Sequence, residues 1–421
     1  MDKDNLFKVL FEQQKDFRRI SNLVNRDSVK KVRDLIKLKM PLIITGVRRC
    51  GKSSLLKLIS EDLKLNENDF LYLNFNDERF VNFEISNFQD ILDYLIKEKY
   101  IKNCYLFFDE IQEVQGWEKW INRIKGSFKI IITGSNSKLL SSEISSILTG
   151  RSLSLSLFPF SFSEYLNFKK VDIKKYKLDR EIELKIKQEF ENYFEIGGFP
   201  KMILERNRIL LMELYENILY RDIISRFKGN LIKSIKEISL YLQSNVSSDI
   251  SLRTLSKISG IKNLETLKNI LNSFEQSFLF FFTNKFNYSV KKQIQNPKKI
   301  YCIDNGLSNV LGFKFSKDSG NLLENLVAIE LKRRGKETFY FQKKGECDFV
   351  LREGAKIKEV IQVCYKLTEK NKDREIKGLL EAMDEFKLKE GLILTYDDEK
   401  GFNVGGKKIK VLPVWKWLLG S

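Results

Sequence analysis

The chain contains no histidine. That absence removes Ser-His-Asp and Cys-His nucleophilic catalysis, histidine general bases and every histidine-ligated metal site. Cysteine is scarce: Cys50, Cys104, Cys302, Cys347 and Cys364 are five of 421 residues, an odd number with no CxxC spacing. Neither a zinc knuckle nor a disulfide framework is indicated, and a reducing compartment is the simplest setting. Apolar runs such as Phe278 to Phe282 stop far short of the roughly 18 residues a membrane helix needs. The start, MDKDNLFKVLFEQQKDF, places acids where a signal peptide needs bare positive charge. These absences predict a soluble, cytoplasmic protein without a membrane partner. Its chemistry must run on carboxylates, lysine, arginine, hydroxyls and bound hard cations. Only five prolines occur and there is no Gly/Ser or Pro-rich linker, so domain boundaries follow changes in periodicity.

What is present points to several domains. A chain of 421 residues that is 43% hydrophobic is too long for one ordinary core. A formal net charge of +18 and a pI near 9.4 favour polyanionic partners, DNA foremost. From Leu42 to Arg151 short apolar strands (PLIITG, FLYLNF, YLFFDE, KIIITGS) alternate with helical stretches, a rhythm that predicts a parallel sheet covered on both faces. Helical periodicity follows from about Phe160, broken at Gly197-Gly198-Phe199-Pro200. Between Asn230 and Lys299 the pattern is helix, helix, Gly260 turn, helix and strand hairpin, the outline of a winged helix-turn-helix. A second α/β pattern begins at Ile300.

The stretch Gly46, Val47, Arg48, Arg49, Cys50, Gly51, Lys52 and Ser53 matches GxxxxGK[ST] between an apolar strand and a helix. In that context it is a phosphate loop. The glycines permit successive N–H groups to face phosphate oxygens, and the helix beginning near Ser54 adds its positive end. Lys52 is expected on the β- and γ-phosphates of ATP, and Ser53 on Mg2+. Tyr105 to Glu110 is an apolar strand ending in two acids. Paired with the loop, Asp109 is expected to hold Mg2+ and Glu110 to orient and polarise the attacking water. The strand Lys129 to Thr133 ends in Gly134-Ser135-Asn136, which predicts a small polar side chain, from Thr133, Ser135 or Asn136, beside those acids. Arg151 is a candidate charge-stabilising arginine, acting in cis or from a neighbour in an oligomer.

The segments GVRRCGKSSLL, LNFNDERF, YLFFDEIQEVQGWEKWI, ITGSNSKLL, LTGRSLSLSLFPFSFSEYL, GGFP and LYRDI, in this order, resemble archaeal and bacterial AAA-type ATPases with a C-terminal restriction-endonuclease-like domain. The resemblance runs from about Leu42 to Tyr396. It implies an α/β fold with a P-loop ATPase core at 1–160, a helical lid at 161–229, a winged helix-turn-helix at 230–299 and a smaller nuclease-like α/β domain at 300–421.

Nucleases of that type need an acid on a helix, an Asp entering a strand and a (D/E)xK on the next strand. Glu324, with Glu330 as the alternative, and Asp348 match. The third element reads Gln362-Val363-Cys364, which removes a carboxylate and an ammonium together. Lys366, two residues beyond Cys364, is the local substitute on an alternating strand. The expectation is a degenerate, catalytically silent site. In the winged-helix segment Lys291, Lys292, Lys298 and Lys299 are candidate phosphate contacts, Tyr288 a stacking residue, with Arg253, Lys257, Lys262 and Lys268 in support. The expected activity is a Mg-ATP-dependent ATPase acting on DNA. The alternatives are a nucleotide-gated switch for a protein partner and an ATP-regulated nuclease.

Overall fold

The computed structural model describes residues 1–98, 104–140, 152–312 and 319–420. The chain forms two compact units, Met1–Phe158 with Gln276–Phe278, and Pro159–Glu275 with Leu279–Ser421. Among the described residues no helix is long and apolar enough to cross a membrane.

The first unit is built on five strands: β1 (Leu42–Thr45), β2 (Phe70–Asn74), β3 (Tyr105–Asp109), β4 (Lys129–Gly134) and β5 (Leu153–Ser156). They lie in the order β2-β3-β4-β1-β5, every neighbouring pair parallel. Residues Leu42, Ile43, Ile44 and Thr45 are all buried, as befits a parallel strand covered on both faces. Because the strands run the same way, the turns after β1, β3 and β4 meet at one edge of the sheet, with β4 between the other two. β2 is the free edge, and the helix Lys3–Arg19 covers it. The Gln14 side chain bonds the carbonyl of Phe70 and the N–H of Tyr72, and Gln13 bonds both backbone groups of Asn74. Two buried glutamines thereby take the place of a sixth strand.

The second unit holds a nine-stranded mixed sheet, and its strands are β6 (Asp249–Ile250), β7 (Phe280–Lys285), β8 (Lys298–Cys302), β9 (Glu337–Gln342), β10 (Glu346–Glu353), β11 (Lys356–Val363), β12 (Glu390–Thr395), β13 (Lys400–Val404) and β14 (Lys407–Pro413). The order is β13-β14-β12-β11-β10-β9-β7-β8-β6. The helix Ser319–Arg333 is buried at every position from Leu322 to Leu331, so it runs through the core rather than along the surface.

Two expectations need correction here. The boundary at 299/300 falls inside β8, which pairs with β7 and β6, while β7 pairs with β9 through Asn284–Phe339 and Lys285–Tyr340. Backbone hydrogen bonds therefore run without a break from the helical segment into the C-terminal strands. Periodicity registers strands but not which of them share a sheet. The basic stretch between β7 and β8 is likewise no simple hairpin, because Val290–Gln295 is a short helix.

The Gly197-Gly198 turn is fixed from within the second unit. Gly197 has φ +78°, and a Cβ there would stand 2.0 Å from the Asp304 carboxylate. The N–H of Gly198 donates to Asp304 at 2.6 Å. Only glycine combines that backbone conformation with that approach.

Candidate active site

The turn after β1 is the glycine loop. Gly46 lies so close to Leu157 that a Cβ would meet its carbonyl oxygen at 2.2 Å, and Gly51 has φ +102°, a left-handed conformation. Lys52 opens the helix Lys52–Asp62, yet its side chain turns back into the loop and is only 4% exposed. Its ammonium donates to the carbonyls of Gly46 (3.1 Å) and Val47 (3.4 Å) and pairs with Glu110 at 3.1 Å. Val47 and Cys50 are buried and Arg49 is exposed, with φ +64°. Burial opposes the charge on Lys52, but Glu110, followed by Cys50 and Asp109, raises its pKa.

Asp109 and Glu110 face the loop from β3. Ser53 Oγ donates to Asp109 Oδ2, and Thr133 Oγ1 donates to Asp109 Oδ1. Glu110 Oε2 accepts from the N–H of Ser135 at 3.0 Å. The ends of β1, β3 and β4 thus bring together Lys52, Ser53, Asp109, Glu110, Thr133 and Ser135, as the sequence pattern requires. Burial raises the Asp109 pKa, with the Glu110 charge adding to it. Burial pushes Glu110 up as well, but the Lys52 charge and hydrogen bonds from Gln112, Lys52 and Ser135 outweigh it and hold Glu110 at about 2. Ser54 is half-buried on the following helix, and Asn136 accepts the N–H of Leu139 through its carbonyl. Arg151 lies outside the described residues.

Three participants were missed in the sequence. Tyr72 on β2 donates its hydroxyl to Asp109 Oδ2 at 3.0 Å. Gln112 donates to Glu110 Oε2 at 2.6 Å. Buried Arg26 donates to the carbonyls of Cys50 (3.0 Å) and Phe158 (2.7 Å), tying the glycine loop to the chain beyond β5. Gln112 had a local signal, two residues after Glu110. Arg26 had none, standing alone in a polar stretch before the first strand.

The donors suit Mg-ATP: a hydroxyl and a carboxylate oxygen side by side are hard ligands of the kind Mg2+ prefers. The glycines at both ends of the loop and the buried ammonium suit phosphate.

The second unit assembles a different group. Glu324, Asp348 and Gln362 do come together, and the N–H of Asp348 donates to Gln362 Oε1 at 3.3 Å. The side-chain amide of Gln362 donates to Glu375 at 2.8 Å, and Asp348 Oδ2 accepts the N–H of Val363 at 2.9 Å. Their cation is Lys299, whose ammonium lies 3.0 Å from Glu324, 3.0 Å from Asp348 and 2.5 Å from Glu346. Tyr301 donates to Glu324 at 2.7 Å. Lys299 is therefore not a surface phosphate contact: β8 points it into the core, 5% exposed. Lys291 and Lys292 are exposed and Lys298 is half-buried. Glu330 faces elsewhere, paired with Arg333 and Arg334. Lys366 is exposed beyond the end of β11 at Val363, so strand alternation does not carry it toward Gln362. Burial, then the Asp348 charge, pushes Glu324 up to about 8, and burial raises Asp348. Among the described residues no trio of acid or thiol side chains is arranged to hold a metal ion.

Comparison with known proteins divides the chain into three matched segments. Residues 38–166 match the AAA domain, 187–318 a domain of unknown function (DUF8612) and 319–417 another (DUF4143). Neither of the latter descriptions names a winged helix or a nuclease. The first unit thus carries the AAA-type ATPase fold. The uncharacterized protein MJ1544 of Methanocaldococcus jannaschii is 37% identical over 443 residues, covering 100% of this chain and 96% of its own. An uncharacterized protein of Haemophilus influenzae is 32% identical over 398 residues, covering 90% and 94%. Among solved structures, the Walker-type ATPase PABY2304 of Pyrococcus abyssi is similar at a TM-score of 0.43 and 17% identity, covering 69% of this chain and 96% of its own.

Proposed function

We propose that this chain, which belongs to the family of the Methanocaldococcus jannaschii protein MJ1544, binds ATP with Mg2+ and hydrolyses it, and that nucleotide state governs its engagement of DNA. The observation that carries the reading is the pairing of buried Lys52 with half-buried Glu110 at 3.1 Å beside the glycine loop, next to Ser53 and Asp109. A lysine held by two loop carbonyls and one carboxylate can exchange those partners for phosphate oxygens. Bound Mg2+ supplies charge neutralisation along the phosphates. Ser53 and Asp109 are the oxygen donors for it. Glu110, ionised well below neutral pH, is the acceptor that orients water, and Thr133, Ser135 or Asn136 senses the nucleotide or positions that water.

For the second unit we read Ile232–Ile303 as a winged helix-turn-helix. Its order of helix, strand, two helices and two strands, with β6, β8 and β7 antiparallel, supports this. Exposed Tyr288, Lys291 and Lys292 near the tip and the net charge of +18 favour DNA. Val290 and Ile294, each 67% exposed on either side of the same lysines, favour a second reading, in which a protein partner docks there. The C-terminal strands we read as a nuclease-like domain that does no chemistry, its acids being neutralised by Lys299.

The test of the nucleotide reading is equilibrium binding of Mg-ATP to the full chain and to Lys52→Ala. Binding lost in the variant supports it, and equal affinity contradicts it.

A further inference from the structure

Glu110 is held by two different sets of partners. Its Oε1 faces the Lys52 ammonium at 3.1 Å. Its Oε2 accepts the Gln112 side-chain amide at 2.6 Å and the Ser135 N–H at 3.0 Å. The first partner is the group that phosphate would draw away, while the second belongs to the turn after β3 and the third to the end of β4. We propose that Gln112 is a positioning residue for ATP hydrolysis: it anchors one oxygen of Glu110, so that the other is presented to the attacking water once Lys52 has moved onto phosphate.

The local chain is bent to make this contact. Glu110 sits at φ +54°, ψ +43°, a left-handed conformation that a non-glycine residue adopts at a cost. The turn Ile111–Glu113 that follows brings residue 112 back over residue 110. The Gln112 amide then lies against Gly134, where a Cβ would stand 2.1 Å from Leu139 Cδ1 and 2.4 Å from Gln112 Oε1. That same Oε1 is buried with no hydrogen-bond partner among the described residues. A leucine or methionine would fill the slot without leaving a buried polar atom unmet, so packing does not account for the glutamine. Its N–H donor does.

This inference rests on the ATPase reading, and the experiment separates the two. Steady-state ATP turnover and ATP binding are measured for the full chain, Gln112→Met and Gly134→Ala. Methionine keeps the length and loses the donor; alanine at 134 keeps the glutamine and displaces its amide. Both variants should lower kcat about 10²-fold, the usual consequence of a misplaced catalytic group, with ATP affinity changed by no more than about twofold. A purely structural role would move thermal stability without that split. An inactive wild-type chain sinks the ATPase reading. An active wild type matched by Gln112→Met, or a variant whose affinity falls along with kcat, sinks this proposal alone.

Discussion

The two units each bury one lysine among carboxylates, to nearly the same depth: 4% exposure for Lys52 and 5% for Lys299. Their partners differ. Lys52 has one carboxylate and two loop carbonyls, beside glycines that leave backbone N–H groups approachable. Lys299 has three carboxylates, and one of these, Glu324, is held in addition by Tyr301. The first ammonium can trade an intramolecular partner for an incoming anion. The second is enclosed by Asp348 and Glu346 together with a Glu324 that burial keeps largely protonated, and it is held there. Burial of a lysine says little about its use; the number and mobility of the opposing groups say more.

That comparison can be broken by mutation. Lys299→Ala leaves Glu324 and Asp348 buried without their cation and should destabilise the chain by about 3–5 kcal/mol, measured by urea denaturation. Lys52→Ala should cost clearly less, because Glu110 keeps Gln112 and Ser135 as donors. Equal losses would erase the distinction.

A smaller effect follows from Glu324. Its pKa in the fold is about 8 against an ordinary 4.5, so the folded chain binds the proton more tightly than the unfolded chain. The stability it contributes is fully present below about 4.5 and is lost as pH rises toward 8. Glu324→Gln should flatten that part of a stability–pH curve. An unchanged slope would place the titration elsewhere.

For chemistry at the same cluster, no Mg2+-dependent nicking of supercoiled, linear or single-stranded DNA is expected, with or without ATP. Cleavage that disappears in Asp348→Ala and survives in Lys52→Ala would contradict this. Lys366→Ala should change nothing, since its side chain is exposed beyond the strand.

The mildest effect is on DNA affinity. Neutralising Lys291 and Lys292 together should lower the salt slope of binding by up to about 0.9 per lost phosphate contact. Lys299 variants that remain folded should leave it alone. A slope unmoved by the exposed pair would turn attention to a protein partner.

How much of this was legible depended on how local each feature is. The glycine loop, Asp109-Glu110 and the end of β4 are short contiguous motifs whose parallel strands bring them to one edge, so sequence order carried their geometry. Lys299 was misread because its partners are 25 to 49 residues away and because a run of lysines reads as a solvated surface. The strand decides otherwise, since β8 is buried on both faces from Lys299 to Cys302 and takes that lysine inward. Lys366 failed for the opposite reason: alternation was extended past the residue where β11 stops. Tyr72 and Arg26 reach the site from elements with no motif of their own. The break at 299/300 looked like a domain edge because the periodicity changes there, while the sheet that spans it is set by pairing between distant strands.

The most direct test of the central claim is ATP turnover by Glu110→Gln, with ATP binding measured on the same sample. The substitution keeps the shape and the donors' partner oxygen while removing the charge that orients water. The account predicts binding close to that of the unaltered chain and turnover lower by about 10²-fold or more. Hydrolysis at the unaltered rate would contradict it.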